Sequence, residues 1–403
     1  MLLTTVLSCL VAFPVAVFGK PWFNNHNAGV RSTSGLSERL KPKVLIISMF
    51  SPEAEAWYGI PEFDLLARNI TVTGFSPLFP HAHCTEDGSV CQVVTGEAEI
   101  NAAATITALT LSPHFDLRST YFLIAGTAGV NPKVTTIGSV TFARYAVQVT
   151  LQYEIDAREL PPGFTTGYFP QGSDSPNEYP QDIYGTEVFE VNDRLRSLAV
   201  GFARTATLND SRDAVAYRAK YAHDKIYASA AKKPSIVECD TATSDVYWTG
   251  ALLSEAFENT MRLFTNGTGV YCTAQQEDNA TLEALLRSSL HNLTDFSRII
   301  VMRTASDFDR PYIGGSVIDN LLDENQGYEP ALRNIYLAGV KVVEGILKEW
   351  TKRFEVGTKP SNYIGDIFAS LGGIPDFGTG STFGGGIAVA RKRDVKRRRV
   401  RRG

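Results

Sequence analysis

Five stretches of the chain are apolar and β-branched almost without interruption: "KVLIISMF" (43–50), "VCQVVTG" (90–96), "TYFLIAGTAG" (120–129), "GSVTFARYAVQV" (138–149) and "RIIVMRTAS" (298–306). Near-continuous rather than alternating apolarity predicts strands covered on both faces, at the centre of a sheet. Apolar positions recur at helical spacing in "INAAATITALTL" (100–111), "VNDRLRSLAVGFAR" (191–204), "TLEALLRSSLHNL" (281–293) and "PALRNIYLAGVKVVEGILKEWTKRF" (330–354). Strands alternating with helices predict an α/β fold, a three-layer sandwich around one central mixed sheet. The chain has no internal repeat.

Three segments stand outside this pattern. Residues 20–40 are polar and patternless and read as a lead-in to a domain spanning 41–377. Residues 157–185, with Pro161, Pro162, Pro170, Pro176 and Pro180, form a long irregular excursion of the kind that usually serves binding. From 378 onward the chain is Gly-rich and then basic, ending "RKRDVKRRRVRRG", and reads as a solvated tail able to associate with an anionic cell surface.

A composition of 44% hydrophobic and 20% charged residues excludes disorder throughout. The formal net charge of −4 includes the basic end, so the body is acidic and nucleic acid is not an expected partner. Residues 1–19, apolar and ending in Val17 and Gly19, read as a signal peptide, with a membrane anchor as the alternative; secretion or a cell-surface location follows. No later segment offers the roughly 18 uncharged apolar residues of a spanning helix. Of five cysteines, Cys9 leaves with the signal, so Cys84, Cys91, Cys239 and Cys272 remain as an even set. Cys84 and Cys91 flank an Asp87-Gly88 turn and are expected to pair, which leaves Cys239 for Cys272. A secreted chain also fits the sequons at Asn69, Asn209, Asn266, Asn279 and Asn292.

Four clusters carry candidate chemistry. "SPEAEAW" (51–57) follows the first strand with Glu53 and Glu55. "AGTAG" (125–129) ends the third strand, and the N–H groups around Gly126 and Thr127 form a candidate concavity for an anion or hydroxyl. "QQEDNATLEALL" (275–286) sets Glu277, Asp278 and Asn279 before a helix, where helix capping is the plain alternative. "TASDFD" (304–309) ends a strand in Ser306 and Asp307; ligands gather at such strand ends, although an acid there also caps turns. No GxSxG, Walker or HExxH motif is present, "HAH" (81–83) reads as a surface turn, and no metal or cofactor is expected.

In order and spread, "KVLIISMFSPEAEAW", "FLIAGTAGVNP", "CDTATSDVYWTGAL", "YCTAQQEDNATLEALL" and "RTASDFDRP" resemble the fungal purine nucleoside permeases, within the nucleoside phosphorylase and methylthioadenosine nucleosidase superfamily. The resemblance spans about Lys41 to Phe377 and implies a nucleoside-phosphorylase-like fold. It implies that Asp307, in an R-x-x-S-D pattern, protonates the purine as the glycosidic bond breaks. Glu277 and Asn279 would hold the ribose, with Asn279 standing where the superfamily has a carboxylate. Tyr247 would stack on the base, with Phe164 and Tyr168 as weaker candidates.

The acidic "SPEAEA" stands where phosphorylases carry an arginine loop, and Ile124-Ala125 replaces another of their arginines. Hydrolysis is therefore favoured, with Glu55 activating water and Glu53 as the fallback. The expected activity is cleavage of purine nucleosides to base and ribose. Phosphorolysis, with Arg144 or Arg303 reaching phosphate, is one alternative; a nucleoside-binding protein that assists transmembrane transport is another. A homo-oligomer is a further implication, since members of the superfamily often form dimers or trimers.

Overall fold

The computed structural model describes residues 39–322 and 326–377. The expected signal peptide, most of the lead-in and the basic tail lie outside the described residues.

Among the described residues fifteen strands run in chain order as β1 Val44–Ser48, β2 Arg68–Thr71, β3 His81–Cys84, β4 Val90–Val94, β5 Tyr121–Val130, β6 Val140–Ala143, β7 Tyr145–Gln148, β8 Tyr153–Glu154, β9 Tyr168–Phe169, β10 Val188–Glu190, β11 Ile236–Glu238, β12 Asp240–Thr243, β13 Tyr271–Gln275, β14 Ile299–Phe308 and β15 Gly365–Asp366. The helices are α1 Ser51–Glu55, α2 Glu99–Leu111, α3 Asp193–Ala203, α4 Arg212–Ala219, α5 Ala251–Phe264, α6 Asp278–Leu290, α7 Val317–Leu322 and α8 Tyr328–Lys348.

The central part of the sheet is parallel: β1 pairs with β4 on one side and β5 on the other, and β5 pairs with β14 from Phe122 to Val130. Antiparallel neighbours complete a mixed sheet, with β3 beside β4, β6 beside β14 and β13 beside the last residues of β5. Every residue of β1 is buried, and alternate side chains point to opposite faces. Leu45 and Ile47 pack with Ile106 and Leu109 of α2 and Leu282 and Leu285 of α6. Val44 and Ile46 pack with Leu195 and Ala199 of α3 and Ile335 and Ala338 of α8. Each aliphatic chain so covered contributes about 1.5–3 kcal/mol relative to exposure. These two cores are the reason a continuous apolar run, rather than an alternating one, encodes β1.

The expected three-layer sandwich is thus observed, with differences in detail. The run 138–149 is two strands, because Arg144 interrupts it and the chain crosses from β14 to β10 and β12. Asp240 fixes this crossing: its carboxylate accepts the N–H groups of Arg144 (2.9 Å), Tyr145 (2.8 Å) and Val270 (2.8 Å). "HAH" is not a turn but strand β3, with His83 Nδ1 2.6 Å from Asn69 Oδ1 on β2. Strands β10 to β12 escaped the sequence pattern because each has only three or four residues and includes an Asp or Glu. Helix α8 ends at Lys348 and gives way to a π turn at Trp350–Phe354. The lead-in reaches the fold at Leu40, which bridges to Phe115.

Both expected disulfides are formed, Cys84 to Cys91 and Cys239 to Cys272. Among the described residues no helix is long and apolar enough to cross a membrane.

Candidate active site

The carboxyl ends of β1, β5 and β14 meet the ends of β12 and β13 around one cavity of about 340 Å³. Its size is that of a small-molecule pocket. Each strand end brings a different kind of group.

After β1 the chain turns at Phe50 into the single turn α1, and Glu53 folds back beneath the strand end. Its Oε2 accepts the Met49 N–H at 2.8 Å, while Oε1 accepts the Thr127 N–H at 2.7 Å and the Thr127 hydroxyl at 3.1 Å. Gly126 permits this approach: a Cβ there would stand 2.1 Å from Met49 Cε and 2.7 Å from Glu53 Oε1. Burial pushes the Glu53 carboxyl up to about 7, against the opposing pull of the Arg303 guanidinium and the two backbone donors. Glu55, the favoured base at the sequence level, is exposed at the end of α1 and is absent from the pocket lining. The correction has a local cause: α1 turns only once, so the residue in its middle faces inward and the residue at its end faces water.

On β14 the pairing with β5 slips between Ala305 and Asp307, leaving Ser306 as an extra residue. Such a bulge re-aims side chains, and here Ser306 and Asp307 both border the pocket. The Ser306 hydroxyl donates to Asp307 Oδ1 (2.6 Å) and the Tyr247 hydroxyl lies 3.1 Å from Oδ2. Burial raises the Asp307 carboxyl above its ordinary range, opposed by those two hydroxyls and assisted by the nearby charge of Asp309. Glu53 and Asp307, which are far apart in the chain, open onto the same cavity.

Arg303, two strand positions before Ala305, is buried at the cavity wall. Its Nη2 lies 2.6 Å from Asp278 Oδ1 and 3.1 Å from Glu277 Oε2, and Nη1 donates to the Thr127 carbonyl at 3.0 Å. Glu277 also accepts the Ala98 N–H at 3.1 Å, and burial raises its carboxyl despite Arg303. Arg303 thus ties the β13–α6 junction to the end of β5.

Asn279 departs from the expected role. It is buried in α6 outside the pocket lining, donating to the Thr186 carbonyl at 2.7 Å and accepting the Thr243 hydroxyl at 2.7 Å. Two positions separate it from Glu277, which borders the pocket, and the helical rotation between them turns the amide onto the carbonyls of Thr186 and Glu187. Of the aromatic candidates, Tyr247 borders the cavity, whereas Phe164 packs on Phe169 and Tyr168 on Phe257. The Pro-rich excursion covers α5 and contributes nothing to the pocket lining. Arg144, a candidate phosphate ligand, is engaged with Glu190 at 2.6 Å and lies outside the lining.

Sequence reasoning missed the apolar wall of Met49, Phe50, Leu321 and Tyr328. Arg303, named from the sequence as a possible phosphate ligand, carried a further signal, since a strand's two-residue period sets it on the side of Asp307 until the bulge intervenes. None existed for Tyr328, which lies at the start of α8 and reaches the pocket only through the packing of that helix.

Fold and site together define an α/β sandwich protein with a carboxylate-lined pocket at the ends of its parallel strands. The family model described as purine nucleoside permease matches residues 41–359, and the chain belongs to that family. A purine nucleoside permease of Candida albicans is 47% identical over 346 residues, covering 84% of this chain and 83% of the relative. A probable purine nucleoside permease of Schizosaccharomyces pombe is 42% identical, covering 77% and 90%. Among solved structures, the 5'-methylthioadenosine/S-adenosylhomocysteine nucleosidase of Neisseria meningitidis in complex with methylthio-immucillin-A aligns at a TM-score of 0.44 and 14% identity, covering 77% of this chain and 99% of that one. Futalosine hydrolase of Helicobacter pylori aligns at 0.44 and 14%, covering 76% and 98%.

Proposed function

We propose that this protein is a secreted purine nucleosidase. Asp307 gives its proton to the purine as the bond from the base to C1' breaks, so that the base leaves neutral. Glu53 takes a proton from the water that attacks C1', and the products are free base and ribose. Glu277, at the cavity wall, accepts hydrogen bonds from the sugar hydroxyls, and Tyr247 covers the base. The carrying observation is that two buried or half-buried carboxylates with raised affinity for protons border one cavity of nucleoside size.

Water is favoured over phosphate by the charge of the lining. Five carboxylates, Glu53, Glu97, Glu277, Asp307 and Asp309, border the cavity, and Arg303, the one cation among its described residues, is already paired with Glu277 and Asp278. An incoming dianion meets no uncommitted positive charge there. Chromatography of inosine or adenosine incubated with pure protein tests the reading: base appears in phosphate-free buffer, and strict phosphate dependence would overturn it. The name of the family favours a second reading, capture of nucleosides for uptake. It predicts binding without turnover, and binding that survives Asp307→Asn.

Export is supported by the two disulfides, which persist in an oxidising compartment. Mass spectrometry of the secreted protein checks it, with a mature N-terminus after Gly19 expected. The Asn279 sequon stays unmodified, because its amide is buried and bonded.

A further inference from the structure

Tyr247 combines features that are unusual together. It is 60% exposed, yet its hydroxyl reaches 3.1 Å from Oδ2 of the partly buried Asp307. The loop that carries it is held at both ends: Val246 N–H donates to the Ser244 hydroxyl at 2.9 Å, and Gly250 N–H donates to the Asp309 carbonyl at 2.9 Å. Between those anchors the contact with Asp307 is the polar tie recorded for the Tyr247 side chain.

The surroundings of Asp307 leave few directions for a ligand. Oδ1 receives the Ser306 hydroxyl at 2.6 Å. Oδ2 faces Gly129 of β5 so closely that a Cβ there would stand 3.2 Å away. Asp309, just past the end of β14, is locked by Arg310 at 2.8 Å and by the Tyr271 hydroxyl at 2.7 Å. Glu53 from α1, Glu97 ahead of α2, Glu277 ahead of α6 and Arg303 from β14 complete the charged groups of the cavity. A base nitrogen that takes a proton from Asp307 must therefore approach an oxygen that a hydroxyl already serves, and the exposed Tyr247 is the one able to leave.

We propose that Tyr247 is a displaceable cap on Asp307: its hydroxyl occupies Oδ2 in the free protein, and an entering purine nitrogen replaces it while the ring turns aside to cover the base. This rests on the role of Asp307 given above. A donated hydroxyl favours the ionised carboxylate, so its departure favours the protonated acid, and loading the pocket arms the acid at the moment it is needed. The phenol in turn is held well above its ordinary range, first by the Asp307 charge, so it remains a donor.

Tyr247→Phe keeps the ring and removes the cap. A hydrogen bond of ordinary net strength is worth about a fivefold change in an equilibrium. The expected result is a fall of about fivefold in KM, with the alkaline limb of kcat/KM moved to higher pH and that of kcat left in place. The two profiles report free and loaded protein respectively. A raised KM with unmoved limbs overturns the cap and leaves Tyr247 as a simple covering surface. Calorimetric binding of inosine separates this from the activity: tighter binding by Tyr247→Phe and weaker binding by Tyr247→Ala support the cap even in a protein that releases no base. Equal affinity of Tyr247→Phe and parent overturns it even where cleavage is confirmed.

Discussion

Glu53 and Asp240 invite comparison because they share most of what usually marks a functional acid. Both are buried, both accept two or three backbone or hydroxyl donors, and burial raises the proton affinity of both. They differ in what their remaining faces meet. All three of Asp240's partners are backbone N–H groups that define a chain crossing, and it lies outside the lining of the pocket. Glu53 holds the junction of β1 and β5 and also borders the pocket. A raised carboxyl therefore indicates chemistry only where a substrate can reach it; elsewhere it is the electrostatic cost of a structural tie.

The sharpest way to widen this contrast is to neutralise the pocket acids. Asp307→Asn is expected to lower the rate of base release about 10²–10⁴-fold while the circular dichroism and unfolding midpoint stay close to the parent. Glu53→Gln is expected to lower the rate by a similar factor and to lose stability as well, since its amide meets the N–H of Met49 or Thr127. Asp240→Asn should do the reverse, since its amide sets an N–H donor against backbone N–H groups. A loss of about 1–3 kcal/mol in urea unfolding is expected, with the activity of the folded fraction retained. If Asp240→Asn instead abolished cleavage at unchanged stability, the distinction drawn here would fail.

Proton dependence refines the same comparison. Below about 7 Glu53 carries a proton and cannot accept one from water, so the rate rises as pH climbs through that value. Asp307 has the opposite requirement, and its raised affinity keeps the acid form beyond the usual carboxylate range before the rate falls again. A kcat/KM profile with its acid limb near the ordinary glutamate value would remove Glu53 from the role. The smallest effect is expected at Glu55: Glu55→Gln should leave activity within about twofold and stability within about 0.5 kcal/mol of the parent.

Much of the site was legible because chemistry and strand ends coincide in the sequence. Asp307, Ser306, Thr127, Gly126 and Glu277 all follow or end recognisable runs, and each borders the cavity or shapes its wall. The errors came where one residue of register decides. Glu55 and Asn279 each sit two positions from a pocket residue, Glu53 and Glu277, and helical steps of roughly 100° per residue carry a side chain from pocket to solvent or to a neighbouring loop. Composition is blind to that rotation, which is set by the single turn of α1 and by the packing of α6 on the sheet.

The sequence by itself determined the α/β class, the central strands, both disulfide pairings and the strand that delivers Asp307, because burial on two faces and turn chemistry are local properties. Only the tertiary structure decided which acid of α1 shares a cavity with Asp307, which carboxylates pair with Arg303 and which apolar side chains wall the pocket. Those outcomes depend on the bulge in β14, the close approach allowed by Gly126 and the meeting of segments distant in the chain, and they exist only once the sheet has brought the strand ends together.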